Sequence, residues 1–336
     1  MNEDLILLAH GGGGSLSKKL IGEVIIPEFH NQILEKLDDG ACLTVPELEI
    51  VFTTDSYVVD PLFFPGGDIG KLAACGTIND LAMEGAQPKY MSLGLILEEG
   101  LLISDLRKVL CSMSKVLKET GVKIVTGDTK VVERGRGSGI YINTSGLGVR
   151  KQGVNAAVSN AKLGDAVILT GSIGEHGMAV MGQREGLNFK SSIESDVAPL
   201  CDLIRILLET VPEVHCLRDP TRGGVSAALN DIASSSGTGI EIQQKRVPLK
   251  DNVIGACNLL GLDPMQVANE GKAIVVCAES SSESAINCLR NNELGKDACI
   301  IGRVVSGHAG TVLVETGIGG IRILDIPSGE SLPRIC

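Results

Sequence analysis

The sequence predicts a two-domain α/β (α+β) protein, and three observations carry that prediction. The chain has 336 residues, enough for two cores of ordinary size. Strand-like and helix-like patterns alternate through two successive stretches of it. Its composition, 43% hydrophobic and 21% charged, is that of a globular protein and excludes a disordered one. Aromatic residues make up 2% and Trp is absent, so the cores must be built from Ala, Val, Ile and Leu. The 42 glycines imply many tight turns and close backbone approaches.

The elements follow in order. Residues 1–40 carry a glycine loop, "HGGGG", that leads into a helix-like segment. Residues 41–152 are expected to form the first domain. It opens with "ELEIVFTTDSYVVD", a β-rich run ending in a polar turn. "GGDIGKLAACGTINDLAMEGAQP" reads as a helix with Asp68 at its N-cap and Pro88 beyond its end. "KYMSLGLILEEG" reads as a strand, and "ISDLRKVLCSMSKVLKETG" as an amphipathic helix closed by Gly121. "VKIVTGDTKVV" and "GIYINTSGLGVR" complete a β-α-β-α-β-β order, with a Gly-Asp-Thr turn expected at 127–129. Residues 153–325 form the second domain, which begins in earnest at "LGDAVILTGSIGEHGMAVM" and ends with the β-rich "ACIIGRVVSGHAGTVLVE" and "IRILDI". Residues 326–336 read as a mobile tail that ends in Cys336 and, extended, reaches about 35–40 Å.

Several function classes fall away. Net charge is −11, from 30 Lys+Arg against 41 Asp+Glu, and with so few aromatics nucleic acid is not expected as a partner. No apolar run reaches the length of a membrane span, and the N-terminus lacks a basic region ahead of its short apolar stretch, so no membrane association and a cytoplasmic location are expected. "GGDIGKL" is one residue short of a P-loop and has Leu72 where Ser or Thr would hold Mg²⁺. "GSIGEHG" is not G-x-G-x-x-G, so a dinucleotide site fails too, and packing glycines account for both. The ten cysteines contain no C-x-x-C pair, and nine of them are expected to be buried, reduced thiols. Cys336 is the exception, because a terminus is the least protected place for a thiol.

The acidic residues point to chemistry. Asp55 stands where an apolar strand stops, Asp80 inside an apolar helix, Asp128 at the Gly-Asp-Thr turn, and Asp219 at the head of "DPTRGG". Each alone would read as a cap or a turn residue. Together, carboxylates at element ends suit a hard cation and a Mg²⁺–polyphosphate site. Lys130 and Arg222 could meet phosphate oxygens or simply lie on the surface. Glu270, in "ANEGKAIVV", is open between a functional carboxylate and a solvated loop residue. None of the five histidines has metal-ligand spacing, and His176 reads as a loop hydrogen-bonder.

"TTDSYVVDPLFFPGGDIGKLAACGTINDLAMEGAQP", "TGDTKVV", "TGSIGEHGMAVM", "DPTRGG", "ANEG" and the terminal "PRIC" together resemble the HypE family of hydrogenase maturation factors. That family lies in the superfamily of aminoimidazole ribonucleotide synthetase and selenophosphate synthetase. The resemblance runs over essentially the whole chain. It implies an aminoimidazole ribonucleotide synthetase-like fold whose N-terminal domain pairs its sheet across a homodimer, with ATP in a cleft beside that interface and the "HGGGG" loop over the nucleotide.

By motif it implies Asp55 and Asp80 as Mg²⁺ ligands, completed by Asp219, with Asp68, Gly127, Asp128 and Thr129 at the nucleotide. Lys130, Glu270 and Cys336 would match residues tied to the reaction. That reaction is ATP-dependent dehydration of a carbamoyl group on Cys336 to a thiocyanate, a source of cyanide ligands for [NiFe]-hydrogenase. Phosphorylation would turn the carbamoyl oxygen into a leaving group, Glu270 would take the nitrogen protons, and Lys130 with Mg²⁺ would neutralise the transferring phosphoryl group. The resemblance also implies a HypF-like carbamoyl transferase and a HypC/HypD-like iron scaffold as partners. A thiol on an arm stiffened by Pro327 and Pro333 can visit both. Two alternatives stay open: another small-molecule kinase or synthetase of the superfamily, similar to selenophosphate synthetase, and a non-catalytic carrier. The first would place its reactive cysteine near the N-terminus, where none precedes Cys42. The second leaves the aspartates and "GDTK" unexplained.

Overall fold

The computed structural model describes residues 5–7, 20–29, 31, 49–186 and 193–325. Cys42, Cys336, the "HGGGG" loop and the 326–336 tail therefore lie outside the described residues, as does most of the 1–40 segment.

The first half is built as its alternation requires: β1 (Glu49–Tyr57), α1 (Ile69–Met83), β2 (Ala86–Glu98), α2 (Ile103–Thr120), β3 (Lys123–Val132) and β4 (Ile140–Arg150). The four strands form one sheet in the order β1-β4-β2-β3, antiparallel except for the parallel β2–β3 pair. A short hairpin, Phe63–Phe64 with Gly67–Asp68, delivers the chain to α1. There Asp68 caps the helix as its sequence predicts, accepting the Gly70 and Lys71 amides at 2.8 and 3.0 Å. Such a cap stabilises a helix by about 1 kcal/mol. Gly121 closes α2 in the left-handed conformation.

Helices α1 and α2 pack against each other and cover one face of this sheet. Gly70 is glycine because a Cβ there would collide with the Val109 carbonyl of α2. The packing-glycine reading of "GGDIGKL" therefore holds. The other face of the sheet leaves Ile50, Phe52 and Ile96 exposed, at 53, 65 and 43%.

The second half contains β5 (Ala166–Leu169), α3 (Glu175–Arg184), α4 (Cys201–Thr210), β6 (Val214–Arg218), α5 (Gly224–Ser236) and β7 (Gly239–Gln243). α6 (Asp251–Leu260), β8 (Ile274–Cys277), α7 (Ser282–Arg290), β9 (Cys299–Val305), β10 (Val312–Glu315) and β11 (Ile321–Ile323) follow. Its seven strands run in the order β11-β10-β7-β9-β5-β8-β6. β5 and β8 are buried along their whole length, with α5 packed on one face of the sheet and α4 and α7 on the other. Uninterrupted apolar runs such as "AVIL" and "IVVC" have that placement as their reason.

Two expectations are corrected. Gly127-Asp128-Thr129 is no turn: it lies inside β3, paired in parallel with Leu93, Gly94 and Leu95. Local turn preference yields to the β2 partner, and a side chain at 127 would collide with the Leu93 carbonyl. The cysteines are also less uniform than expected. Cys75, Cys216, Cys257 and Cys277 are buried, Cys201, Cys288 and Cys299 are half-buried, and Cys111 is exposed on the solvent side of the amphipathic α2.

Candidate active site

Four of the singled-out carboxylates meet. Asp55, Asp80, Asp219 and Glu270 line one small cavity of about 40 Å³, together with Tyr57 and Arg222. The topology explains the meeting. Asp55 is on the face of β1 turned toward α1, two residues before the buried Tyr57. Asp80 comes from α1, which packs on β1. Asp219 directly follows β6, and Glu270 precedes β8. Those strands are antiparallel neighbours with Arg218 opposite Ile274, so both carboxylates emerge at the same end of the second sheet. The cavity is thus assembled from both halves of the chain.

Hydroxyl groups on β1 orient the first two carboxylates. Thr53 donates to Asp80 Oδ2 at 2.9 Å, and Tyr57 donates to Asp55 Oδ2 at 3.0 Å. Tyr57 Oη also lies 3.3 Å from Thr77 Oγ1. Burial and then Asp55 push the phenol well above its usual range, so Tyr57 stays a neutral donor. Gly76 leaves room for this hydroxyl, since a Cβ there would strike it.

The cavity is short of positive charge. Burial first, then Asp219 and Asp55, push Asp80 up to about 7, against the pull of the Thr53 hydrogen bond and Arg218. Asp219, 8% exposed, is raised by burial, with Arg218 opposing. Glu270, 3% exposed, is raised well above the carboxylate range by burial and then by Asp219, Asp196, Asp55 and Asp80. The solvated-loop reading of Glu270 is therefore set aside. Among the described residues no three His, Cys, Asp or Glu side chains form a ready-made metal cage.

The remaining expected residues lie elsewhere. Asp68 is occupied at the start of α1, where its Oδ1 also accepts the Ser112 hydroxyl at 2.5 Å. Asp128 and Lys130 project from the uncovered face of the first sheet, 3.5 Å apart and both largely exposed. Strand register places Asp55, Thr144, Leu93 and Gly127 in one row. Three strand spacings separate its ends, about 14 Å, which is a nucleotide-sized distance and not a side-chain contact. His176 is buried, with Nδ1 2.8 Å from Ser195 Oγ and its ring edge-on to Phe64. Tyr57, Asn79 and Asp196 belong to this region and were not singled out from the sequence. The available signal for Asn79 was its place beside Asp80, a second polar residue inside an apolar helix.

Known proteins resemble this chain across both halves. The sequence matches the family described as AIR synthase related protein, N-terminal domain, over residues 37–150, and its C-terminal domain over residues 162–315. It is 46% identical to the carbamoyl dehydratase HypE of Azotobacter vinelandii over 98% of this chain and 96% of that one. A crystal structure of the hydrogenase maturation protein HypE in complex with ATP superposes with a TM-score of 0.95 at 44% identity, covering 98% of this chain and 99% of the other. A HypE chain from a HypE–HypF complex superposes with a TM-score of 0.81 at 48% identity, covering 92% and 99%. With both domains matched and near-complete coverage at this identity, the chain belongs to the HypE family of AIR synthase related proteins.

Proposed function

We propose that this protein is an ATP-dependent carbamoyl dehydratase of hydrogenase maturation that acts on a carbamoyl group carried as a thiocarbamate on its own Cys336. The observation that carries the reading is the cavity where Asp55, Asp80 and Asp219 meet a buried, protonation-prone Glu270. Relatives named carbamoyl dehydratase and a relative crystallised with ATP support it.

Mg²⁺ fits the donor set. Asp55, Asp80 and Asp219 together make an anionic site in want of a cation, and burial with the neighbouring carboxylates raises the proton affinity of Asp80 and Asp219. A hard cation bound through one or two carboxylates plus phosphate oxygens needs no preformed protein cage. Asp55, Asp80 and Asp219 would hold it, and bound there it would offset charge on the transferring phosphoryl group. Lys130 serves the same charge from the open face of the sheet, and Gly127, Asp128, Thr129 and Asp68 serve the nucleotide. The overall change is R–S–C(=O)–NH₂ plus ATP to R–S–C≡N plus ADP and phosphate. The carbamoyl oxygen leaves as phosphate, and Glu270 takes protons from the nitrogen. Its raised proton affinity makes it the stronger proton acceptor, and a cation held by the neighbouring aspartates would offset part of the negative charge that raises it, leaving it ionised for that role.

Asp325, the last of the described residues, is held beside the segment that leads to Glu270. Asp325 O accepts from Ser226 Oγ at 2.6 Å and from Gln266 Nε2 at 3.4 Å, and Gln266 is four residues from Glu270. The exposed face with Ile50, Phe52 and Ile96 serves homodimer pairing. A HypF-like transferase loads the thiol, and a HypC/HypD-like scaffold unloads it. The location is cytoplasmic, and no described helix is long and apolar enough to cross a membrane.

Mass spectrometry of the tail after incubation with the carbamoyl transferase, with and without ATP, tests the reading. Cys336→Ala should take no carbamoyl group. Glu270→Gln should load it and bind ATP yet accumulate thiocarbamate, its dehydration slowed by about 10²–10⁴. A carbamoyl adduct on Cys336→Ala, or dehydration at the wild-type rate by Glu270→Gln, would overturn the corresponding assignment.

A further inference from the structure

Asn79 stands one residue before Asp80 on α1, is 2% exposed, and directs its whole amide across to the second half of the chain. Its Nδ2 donates to Ala198 O at 3.1 Å and Glu270 O at 3.2 Å, and its Oδ1 accepts the Leu200 amide at 2.7 Å. Asp196 grips the same loop from the other side. It accepts the Glu270 and Gly271 amides and Lys272 Nζ, each at 3.2 Å. Burial alone would raise the Asp196 carboxyl, but Lys272, His176 and these hydrogen bonds hold it below the usual range, so it remains an ionised acceptor.

Both backbone polar groups of Glu270 are therefore fixed by side chains: the N–H by Asp196 and the C=O by Asn79. The loop also runs hard against its clamp, for a Cβ at Gly271 would collide with the Asp196 carbonyl. Nothing in α1 itself calls for an asparagine there. The residue is neutral to unfavourable in a helix interior, and its hydrogen bonds all leave the helix.

We propose that Asn79 is a positioning residue: from the first domain it fixes the main chain of Glu270 in the second, so that the Glu270 carboxyl stands in the cavity lined by Asp80 only when the two domains are docked. This rests on the assignment of Glu270 as proton acceptor. Asn79 and Asp80, adjacent on one helix, then tie the placement of the base to the placement of the cation ligand. A domain displacement that moves one moves the other.

The test uses full-length Asn79→Ala protein, loaded on Cys336 by the carbamoyl transferase. ATP affinity by calorimetry and the extent of loading should match wild type, while single-turnover dehydration slows about 10–100-fold, the cost of misplacing a reacting group by an ångström or so. Amide hydrogen exchange at Glu270 and Gly271 should quicken while the β1 amides keep their protection. A folded variant with wild-type dehydration, or with unchanged exchange at Glu270 and Gly271, overturns the proposal. So does loss of ATP affinity in step with dehydration, which would mark a general structural role. Should Asn79→Ala fail to fold, Asn79→Ser, whose hydroxyl can still donate to one carbonyl, is carried through the same measurements against the same criteria. Glu270→Gln runs alongside. If it dehydrates at the wild-type rate, the base assignment fails, and the exchange data alone still decide whether Asn79 positions the loop.

Discussion

Asp80→Asn puts the charge balance of the cavity to a quantitative test. In the folded protein the Asp80 carboxyl is pushed from an ordinary 3.8 to about 7, first by burial and then by Asp219 and Asp55. Because the folded value is the raised one, this group's contribution to stability is complete below about pH 4 and is lost as the pH climbs toward 7. Ionising it inside the folded, cation-free protein costs about 4 kcal/mol. The amide of Asn has the same shape, carries no charge, and can still accept from Thr53. Without a divalent cation, Asp80→Asn should therefore equal wild type near pH 4 and exceed it by about 4 kcal/mol above pH 7, less whatever relaxation the cavity allows. Urea unfolding across that range reads the difference directly. Mg²⁺ with nucleotide should reverse the order. At about 100 times its dissociation constant the ligand stabilises wild type by about 2.7 kcal/mol, and the variant, having lost a ligating charge, should gain far less. Parallel pH profiles for the two proteins, or a variant less stable than wild type in cation-free buffer at about pH 8, would refute the reasoning.

Two further outcomes follow from packing. Gly76→Ala should force the Tyr57 hydroxyl off Asp55 and lower stability by about 1–3 kcal/mol, weakening Mg²⁺–ATP binding as well. Thermal unfolding paired with nucleotide titration checks it, and wild-type values in both would show that the ring has room to move. Phe52→Asp places a charge at a residue that is 65% exposed on the uncovered face of the first sheet. If that face pairs in a homodimer, the buried, unpaired charge should cost several kcal/mol and sedimentation should find monomers. Unchanged sedimentation would place the dimer contact elsewhere.

Much of the fold was legible because its signals are local. Asp68 capping α1, Gly121 ending α2, and the uninterrupted apolar runs of β5 and β8 are read from a few neighbouring residues each. The Gly-Asp-Thr misreading shows the limit. At 127–129 the local sequence asks for a turn, and only the parallel partner Leu93–Leu95 makes it a strand. Cys111 is a smaller case of the same kind: its exposure depends on which side of α2 faces α1, a choice made by packing.

The candidate site divides along the same line. From the sequence, Asp55, Asp80, Asp128 and Asp219 stand out as carboxylates that interrupt apolar surroundings, while Glu270 stays open between a functional and a solvated-loop carboxylate. A charge that ends or breaks a buried element is visible without coordinates. Only packing decided that Asp55, Asp80, Asp219 and Glu270 share one cavity while Asp128 and Lys130 face out of the same sheet, about 14 Å along a row of strands. It also decided that Glu270 is buried and that Asn79 and Asp196 hold it, bonds spanning 191 and 74 residues of sequence. The proton affinities of the site belong to the tertiary structure as well. They arise from burial and from charges brought together across two domains, and both quantities are distances in space that no spacing along the chain encodes.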